Sequence, residues 1–454
     1  MNIKVSRVLH AGYIFETPVG KVLMDPIFED PFSYNCEPFP KIRFDLEQIK
    51  KQKWEAVLIS HIHDDHFSLV SLDLIDRNTA IYLHCEDLEA VDFLNKMGFQ
   101  NVHLIKPFQK FNLAGLEIQT WPALNEVDIV IQLTYQNIQI LNVVDSWLHP
   151  ETLADLIKIH WNLILWPFQL MREIEILTPH RFLGQTDEYP VELQNQLSQF
   201  QTKAVVPSSC QFIFKEFGVE KNWQNQFYFG FSYQKFSNLM QQLNPAAAIY
   251  RLDPGQSVLV NSQDIKKADS ISWIRPMDNK TVDYEFNPDI IIPQMNGYIG
   301  HLLSVEIDQI KNFCENGLIQ YFDENGLELF HYFPKGFIWN LQVVGDWQQS
   351  YYFQFVADRK NQHGFQVQLV RPVTDSKVQW LTEISAYKLH SALNRSESLS
   401  SLEIRINDRN WLWSEGDEFS DLNSPDVVED PLLGILYSSG ELSYQRAQLK
   451  FLGY

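Results

Sequence analysis

Histidines and aspartates occupy five of the six positions 61–66, in the order His61-Ile62-His63-Asp64-Asp65-His66. The apolar run of residues 56–59 leads directly into this segment and predicts a buried β-strand. Because alternate residues of an extended chain point the same way, His61 and His63 should present both imidazoles to one point. Asp65 and His66 follow after one short turn. Imidazole and carboxylate groups bind zinc, and also iron or manganese, so the spacing predicts a metal site.

A polar surface turn is the alternative interpretation of the same segment. Three histidines within six positions, directly after an apolar strand, argue against it. Two metal ions held side by side would convert a bridging water into a hydroxide nucleophile near neutral pH. The metal interpretation therefore points towards hydrolytic chemistry.

The composition describes a folded, acidic protein. The chain has 454 residues, 45% of them hydrophobic, and is long enough for two or three domains. Acidic residues outnumber basic ones by 57 to 36, which gives a formal charge of −21. Such a surface repels phosphate backbones, so nucleic acid is not an expected partner. We expect a small-molecule substrate, and the sequence leaves oligomerisation open.

No segment of the sequence has the features of a secretory signal or a membrane span. The first residues lack a cationic segment followed by an apolar run. The longest apolar stretch, residues 161–170, is too short to cross a bilayer and contains Pro167. The four cysteines lie far apart and form no CxxC pair, which argues against a zinc ribbon. The sequence therefore predicts a cytoplasmic protein without membrane contact.

Short apolar runs alternate with helical patterns in the first half of the chain, which predicts a layered α/β architecture. A polar stretch, residues 261–270, is the candidate boundary and divides the chain into domains of residues 1–262 and 263–454. Beyond it, alternating apolar and polar residues predict antiparallel strands, one of them over residues 318–333. Residues 436–444 are expected to form a final hairpin. We therefore expect an appended C-terminal α+β domain of unknown role.

The segment of residues 61–66 resembles the HxHxDH motif of the metallo-β-lactamase superfamily. A strand that ends at Asp25 resembles the start of that fold, and residues 140–145 resemble its later strand. The resemblance covers about residues 4–260 and implies an αββα sandwich, in which two packed sheets lie between helices. It also implies a site for two divalent ions, zinc or iron or manganese, whose ligands would be His61, His63, Asp65, His66 and a bridging Asp145.

Further segments are most similar to the lactonase-like branch of this superfamily, namely His10-Ala11-Gly12, residues 140–145 and residues 206–212. That branch includes L-ascorbate 6-phosphate lactonase and, with closer similarity, the catalytic region of CMP-N-acetylneuraminate hydroxylase. It tends to place a polar residue at the position of His10, which implies that His10 contacts the substrate or supports a ligand. The candidate catalytic residues are therefore Asp65, His10 and Asp64, the last as a proton-handling or orienting group.

Two ligands of the hydrolases in this superfamily are absent from the sequence. Where they carry a histidine after a Pro-Ala step, this chain has Asn125 and Glu126, and Pro207 is followed by serine where the last histidine is expected. Oxygen donors at positions 125 and 126 would shift the preference from zinc towards iron or manganese. Asp128 would instead orient a ligating imidazole. His180 also follows a proline, but a surface or capping histidine is its simpler interpretation.

Three function classes follow from these residues. The leading hypothesis is a metal-dependent hydrolase that attacks a small ester, lactone or phosphodiester through metal-bound hydroxide. The alternative enzyme is a di-iron oxygenase or hydroxylase-like oxidoreductase, in line with the lost nitrogen ligands and the hydroxylase resemblance. The Rieske module of that hydroxylase needs Cys-x-His and Cys-x-x-His pairs, which do not occur here. The third class is a non-catalytic protein whose degraded site binds one metal ion or none.

Overall fold

The computed structural model describes most of the chain and divides it into two packing units. A pair of large sheets with helices outside them forms the first unit, and a smaller sheet with its own helices forms the second. The residues described are 2–124, 127–169, 171–172, 177, 188–215, 223–278, 280–292, 295, 301–327, 329, 332–345, 347–358, 360–361, 364–374, 377–394, 405–406, 429–438 and 442–454.

The first unit contains most of the strands. In chain order they are β1 (Ile3–Arg7), β2 (Tyr13–Thr17), β3 (Gly20–Met24), β4 (Cys36–Pro38), β5 (Ile42–Phe44), β6 (Ala56–Ile59), β7 (Ala80–Leu83), β8 (Val102–Leu104), β9 (Lys110–Leu113), β10 (Leu116–Pro122), β11 (Ile129–Tyr135), β12 (Ile138–Asn142), β13 (His160–Trp161), β14 (Leu163–Pro167), β15 (Gln201–Thr202), β16 (Ala204–Ser208), β17 (Phe212–Phe214), β18 (Ala248–Ile249), β19 (Ser257–Val260), β20 (Ile265–Ala268) and β21 (Ile274–Pro276). Its helices are α1 (Leu46–Ile49), α2 (Leu69–Leu72), α3 (Glu89–Lys96), α4 (Pro150–Leu156), α5 (Val191–Gln199), α6 (Trp223–Phe227) and α7 (Tyr233–Leu243).

These strands form an eight-stranded sheet, ordered β20-β19-β1-β2-β3-β6-β7-β8, and a seven-stranded sheet, ordered β18-β16-β14-β12-β11-β10-β9. In the first sheet β3, β6 and β7 run parallel, and in the second β12, β14 and β16 do. Neighbouring parallel strands end at the same edge of a sheet. The loops that follow β3 and β6 therefore lie at one edge of the first sheet, and the loops that follow β12, β14 and β16 lie at one edge of the second.

Strand β6 illustrates why the metal motif follows a wholly apolar run. Ala56 and Leu58 lie in the core between the two sheets, whereas Val57 and Ile59 lie in the core that the outer helices cover. All four side chains have no exposed surface. Parallel strands covered on both faces have continuous apolar sequences for this reason, and each buried branched side chain contributes about 1.5–3 kcal/mol.

The outer helices carry one apolar face each. In α3 the buried residues Ala90, Phe93 and Leu94 follow helical spacing, and α7 buries Phe236 and Met240 in the same core. Strands and helices thus form four layers, and the αββα sandwich predicted from the sequence is confirmed. Among the described residues, no helix combines the length and the apolar character that crossing a bilayer requires.

The second unit lies in the C-terminal part of the chain. Its strands are β22 (Phe337–Val344), β23 (Gln349–Ala357), β24 (Phe365–Val370), β25 (Trp380–Ser385) and β26 (Arg405–Ile406), in the spatial order β24-β23-β22-β25-β26. The later helices are α8 (Ser304–Asn312), α9 (Leu318–Asn325), α10 (Ala386–Asn394), α11 (Pro431–Ser438) and α12 (Ser443–Leu452), and a π-helical turn, Phe313–Gly317, joins α8 to α9. Helices and sheet share a third apolar core around Trp339 and Trp380. An appended α+β unit is therefore present.

Two predictions for the C-terminal part are wrong. The strand expected over residues 318–333 begins as helix α9, because Leu318 and Phe322 are spaced for one helical face and both are buried. The hairpin expected over residues 436–444 is also wrong, because both of its ends are helical. Helix α11 continues to Ser438, and α12 starts at Ser443. Short apolar repeats fit the periodicity of a helix as well as that of a strand, and tertiary contacts decide which of the two forms.

Several segments beyond residue 262 pack on the first unit. Strand β20 pairs with β19, and β21 pairs with β5. Helix α12 contributes Leu449, and the residue before it, Leu442, also packs in the core that covers the outer faces of the sandwich. The boundary between residues 262 and 263 stays a prediction, but both segments that flank the second unit return to the first.

A buried carboxylate, Asp430, caps helix α11 and joins it to the C-terminal sheet. Its Oδ1 atom accepts hydrogen bonds from the backbone N–H groups of Leu432 and Leu433, at 2.9 and 3.1 Å. Its Oδ2 atom accepts hydrogen bonds from the Trp380 indole, at 2.6 Å, and from the Thr382 hydroxyl. Burial nevertheless outweighs these bonds and raises the pKa of Asp430 from 3.8 to about 6.

This shift predicts that the second unit loses stability as pH rises. The folded state binds the Asp430 proton more tightly than the unfolded chain does. The contribution of this proton to the free energy of unfolding is therefore fully present below pH 3.8 and is lost as the pH rises through about 6. Between pH 5 and pH 7.5 we expect the free energy of unfolding to fall by about 1 kcal/mol because of this group. Urea unfolding followed by tryptophan fluorescence measures the difference. Asp430→Asn, which does not titrate, should lack this part of the pH dependence, and an unchanged slope would contradict the assignment.

Candidate metal centre

The residues of the HxHxDH segment lie where loops from both sheets converge. Strand β6 ends one residue before Ser60, and the strand beside it, β3, ends at Met24, immediately before Asp25. From the second sheet, β12 ends at Asn142 and leads into Asp145. The turn between β1 and β2 adds His10. One edge of the sandwich thus collects side chains from distant parts of the sequence.

Four side chains form the first group of possible metal ligands, consisting of His10, Asp65, His66 and Asp145. The His66 Nε2 atom lies 3.0 Å from Asp145 Oδ2 and 3.7 Å from Asp65 Oδ1. The His10 Nε2 atom lies 3.1 Å from Asp65 Oδ2 and 3.1 Å from His66 Nε2. Two imidazole nitrogens and two carboxylates therefore face one small volume.

Three side chains form the second group, consisting of His61, His63 and Asp128. The His61 Nε2 atom lies 2.9 Å from His63 Nδ1 and 3.7 Å from Asp128 Oδ1. Within each group, one candidate ligand atom per residue lies within 4.8 Å of the others. The rings of His61 and His66, one from each group, have centroids only 4.0 Å apart, so the two groups adjoin.

The donor atoms fit divalent cations. The Asp145 Oδ1 and Asp128 Oδ1 atoms are buried and have no hydrogen-bond partner. A buried anionic oxygen without a partner is costly, and a bound cation removes that cost. Imidazole nitrogens 2.9 and 3.1 Å apart also need a proton or a cation between them. Four histidines and three aspartates are suitable ligands for zinc, iron or manganese.

The two groups differ in their electrostatics. Burial, reinforced by the neighbouring His66 and His63, holds the pKa of His61 well below its ordinary value, so its ring is neutral and can bind a metal ion. Burial also acts to lower the pKa of His66, but the carboxylates of Asp145 and Asp65 outweigh it and raise that pKa well above the ordinary value. Burial acts to raise the pKa of Asp145, yet the nearby histidines hold it well below its usual range. The first group is thus a site that attracts positive charge.

Asp25 contacts both Ser60 and His66 and fixes the orientation of the HxHxDH segment. Its Oδ1 atom accepts a hydrogen bond from the Ser60 backbone N–H, at 2.8 Å, and its Oδ2 atom accepts one from the Ser60 hydroxyl, at 2.7 Å. The same Oδ2 atom lies 3.2 Å from His66 Nδ1. A carboxylate at Nδ1 fixes the ring orientation and leaves Nε2 free for a metal ion. Asp25 has no exposed surface and is therefore a supporting residue.

Strained backbone supports the position of Asp145. Val144 has a φ of 63°, in the left-handed region that a β-branched residue strongly disfavours. The side chain of Asn142 accepts a hydrogen bond from the Val144 N–H at 3.0 Å, and the Ser209 hydroxyl donates to the Val144 carbonyl. Such strain costs about 1–3 kcal/mol and persists only where surrounding contacts impose it. It turns the chain so that Asp145 enters the site.

His10 is held by a second strained turn. Three consecutive residues, Ser209, Cys210 and Gln211, have φ values of 59°, 59° and 72°. The Cys210 carbonyl lies 2.9 Å from His10 Nδ1, which leaves the Nε2 atom of that ring facing the first group. His10 itself has a φ of 52°. The turn that carries His10 passes close to Asp25, the residue after β3. It requires Gly12, since a Cβ at that position would lie 2.6 Å from the Asp25 carbonyl oxygen.

A buried arginine joins the two turns. Arg7 has no exposed surface, and its guanidinium group donates to the carbonyl oxygens of His10, Pro207 and Ser209 at distances of 2.6–3.0 Å. The planar fork of five N–H groups suits such divergent acceptors. Arg7 therefore fixes the turn that carries His10 relative to the turn that carries Cys210.

Most residues predicted from the sequence meet at this site. His61, His63, Asp65, His66 and Asp145 all belong to the two groups, and their roles as ligands stay predictions. His10 reaches the first group directly. Asp64 lies outside both groups, and its carboxyl group accepts a hydrogen bond from Ser33, so its proton-handling role stays a prediction as well.

The position of Asp128 differs from the expectation. It was expected to orient an imidazole, but its Oδ1 atom lies 3.7 Å from His61 Nε2, and the residue belongs to the second group of possible ligands. Ser146 donates to its other oxygen at 2.9 Å, which leaves Oδ1 directed at the site. The sequence signal for such a role is a carboxylate directly before strand β11, close to position 125, where a histidine was expected. Asn125, Glu126 and His180, the other candidate replacements, lie outside the described residues.

Comparison with known families gives one match to a family model. Residues 4–138 match the family described as the beta-lactamase superfamily domain. Two curated mycobacterial proteins described as Rieske 2Fe-2S iron–sulfur proteins are also similar. The protein from Mycolicibacterium smegmatis is 29% identical over 122 residues, and that from Mycobacterium tuberculosis strain H37Rv is 28% identical over 116 residues. Each match covers 25% of this chain and 22% of the relative, so it spans about a fifth of those proteins.

Solved structures that align with this chain include a metallo hydrolase and a diiron β-hydroxylase. A metallo hydrolase from the archaeon Ignicoccus hospitalis aligns at a TM-score of 0.39 and 16% identity, covering 57% of this chain and 99% of the other. CmlA, a diiron β-hydroxylase from Streptomyces venezuelae, aligns at 0.37 and 11%, covering 59% and 54%. The family match over residues 4–138, the two packed sheets and the HxHxDH loop at their edge agree with one another. Over residues 4–138 the chain is therefore similar to the beta-lactamase superfamily domain.

Proposed function

We propose that this protein is a metal-dependent hydrolase that acts on a small ester, lactone or phosphodiester. The observation that carries the proposal is the pair of adjoining histidine–aspartate groups, in which Asp145 and Asp128 each have one buried oxygen without a hydrogen-bond partner. Divalent cations bound by these groups would supply Lewis acidity and lower the pKa of a coordinated water. The lactonase-like branch suggested by residues 10–12 and 206–212 remains part of this proposal.

The residues of the site would have two kinds of role, holding the metal ions and fixing the ligands in place. His61 offers a neutral nitrogen, and His63 and Asp128 are the other possible ligands of the second group. Asp145 belongs to the first group, and its charge also acts on His61 in the second, so it is placed to serve both groups. Asp25 keeps His66 in one ring orientation, and Arg7 keeps the turn that carries His10 in place. These contacts would hold the ligand atoms before substrate arrives.

A di-iron oxidoreductase is the second candidate, and the composition of the second group favours it. Two imidazoles and one carboxylate form the ligand set of single-iron, non-haem iron(II) oxygenases, so the second group suits iron. In this case the electrons would come from a separate redox partner.

Metal identity and reaction type can be tested together. The protein would be prepared without oxygen, its metal content measured, and metal-free samples loaded with zinc, manganese or iron(II). Each sample would be assayed with p-nitrophenyl acetate, bis-p-nitrophenyl phosphate and simple lactones, and for oxygen uptake with a chemical reductant. We expect about two ions per chain and hydrolysis that disappears on chelation and returns with metal.

A pair of histidine variants provides the control. His61→Ala is expected to reduce hydrolysis by about 100-fold or more, because it removes a nitrogen from the second group. His160→Ala removes an exposed imidazole from β13 and should leave the rate unchanged. Oxygen uptake that depends on iron, without hydrolysis of any ester, would favour the second candidate. A protein that binds no metal would contradict both.

A further inference from the structure

Helix α12, formed by residues 443–452, packs on the loop that carries the HxHxDH segment, although almost 380 residues separate them in the chain. Gln445 is 1% exposed, and its side-chain amide donates two hydrogen bonds into that loop. One goes to the carbonyl of Ile62, at 3.2 Å, and the other to the carbonyl of Phe67, at 2.9 Å. These carbonyls lie on either side of residues 63–66.

A second set of contacts surrounds a buried carboxylate, Glu29, that lies under the same loop. Tyr444 and Gln448 of α12 donate to its carboxylate at 3.1 and 3.0 Å, and Ser68, the N-cap of α2, also donates to it. The side-chain Oε1 atom of Gln448 accepts a hydrogen bond from the Leu69 backbone N–H at 2.7 Å. Burial raises the pKa of Glu29, and these hydrogen bonds partly offset the effect. The segment that follows His66 is thus tied to α12 at several points.

The loop has few backbone bonds of its own. Within it, the N–H groups of His66 and Phe67 both donate to the His63 carbonyl, at 3.1 and 2.9 Å. The carbonyls of Ile62 and Phe67 instead receive the amide of Gln445. A single side chain from the distant helix thus spans the two ends of the turn that presents the metal-binding side chains.

We propose that α12 is a positioning element of the metal centre and that Gln445 is its principal positioning residue. By holding both ends of the loop, Gln445 keeps the imidazoles of His61, His63 and His66 in the arrangement that binds metal. It touches no ligand atom, so it acts through the backbone. The proposal rests on the metal centre of the proposed function but not on hydrolytic activity, because its readout is metal binding.

The test compares neighbouring residues of the same helix in the full-length protein. Gln445→Met keeps the length of the side chain and removes both hydrogen bonds. Arg446→Met is the matched control, since Arg446 contacts Glu89 at the surface and not the loop. Metal-free samples would be titrated with cobalt(II), read by its visible ligand-field spectrum, and with zinc in competition with a chromophoric chelator. Thermal unfolding of the metal-free proteins would be recorded in parallel.

We expect Gln445→Met to weaken metal binding by about 10-fold or more and to alter the cobalt(II) spectrum, whereas Arg446→Met should match the wild type. A lower melting temperature with unchanged affinity and spectrum would reduce Gln445 to a packing residue and overturn the proposal. If Gln445→Met does not fold, Gln448→Met, which removes the contacts to Leu69 and Glu29, should give the same two changes. A wild-type protein that binds neither ion would refute the metal centre itself, whereas wild-type binding with unaffected variants would refute only the role of α12.

Discussion

Replacing Asp145 by alanine should reduce bound divalent metal from about two ions per chain to one or none. Its Oδ2 atom lies 3.0 Å from His66 Nε2 and 4.0 Å from His10 Nε2, and its Oδ1 atom is buried without a partner. The carboxylate also acts electrostatically on His61 in the second group. Loss of an outer hydrogen-bond partner alone weakens metal binding by about 10- to 100-fold, so loss of this group should cost about 100-fold or more. Elemental analysis and chelator competition would measure both effects.

Asp155→Ala is the control for this prediction. Asp155 lies in helix α4, is exposed, and pairs with Lys158 at 2.8 Å. Removing it changes the net charge by the same amount without touching the site, so metal content should remain that of the wild type. Unchanged metal content in Asp145→Ala would mean that the strained turn at Val144 serves another purpose and that the ligand assignment is wrong.

Arg7→Met should lower the free energy of unfolding by about 3–5 kcal/mol. Methionine fills part of the volume but leaves the carbonyls of His10, Pro207 and Ser209 buried without the donors that Arg7 provides. Each charge-assisted hydrogen bond of this kind contributes about 1.5–3 kcal/mol, and removal of the buried cation offsets part of the loss. Urea unfolding of the metal-free protein, monitored by tryptophan fluorescence, would give the value. Metal binding should weaken as well, because the turn that carries His10 loses its anchor.

An exposed arginine separates this effect from a general change in charge. Arg43, in strand β5, has an exposed side chain, and Arg43→Met should change stability by no more than about 0.5 kcal/mol. If Arg7→Met were equally mild, the turns at residues 9–12 and 207–211 would not depend on the guanidinium group. The strained backbone at Ser209 and Cys210 would then need another explanation.

The first unit was largely predictable because its strands carry strong local signals. The run of residues 56–59 is apolar throughout, as expected for a parallel strand covered on both faces, and it places the motif at the edge of the sheet. The second unit was less predictable. Residues 318–325 alternate in a way that also fits a helix, and only the burial of Leu318 and Phe322 against the C-terminal sheet decides the outcome.

The residues of the site also differ in how far the local sequence predicts them. His61, His63, Asp65 and His66 are close in sequence, so their shared location follows from strand geometry and one turn. Asp128 and His10 join them only through the pairing of distant strands, and no local pattern states which atoms will face the centre. The supporting contacts of Arg7 and Gln445 are the least predictable, since each joins positions about 200 to 380 residues apart.

Strand β1 has a consequence for how the chain acquires its structure. It lies inside the eight-stranded sheet, between β2 and β19, and Ile3 pairs with Val260. One side of β1 therefore stays unpaired until the chain has been synthesised as far as β19. An open strand edge invites pairing with other chains, and contacts between such distant residues form slowly. Fragments that end before β19 should consequently aggregate, and expression of the intact chain should benefit from slow synthesis at low temperature.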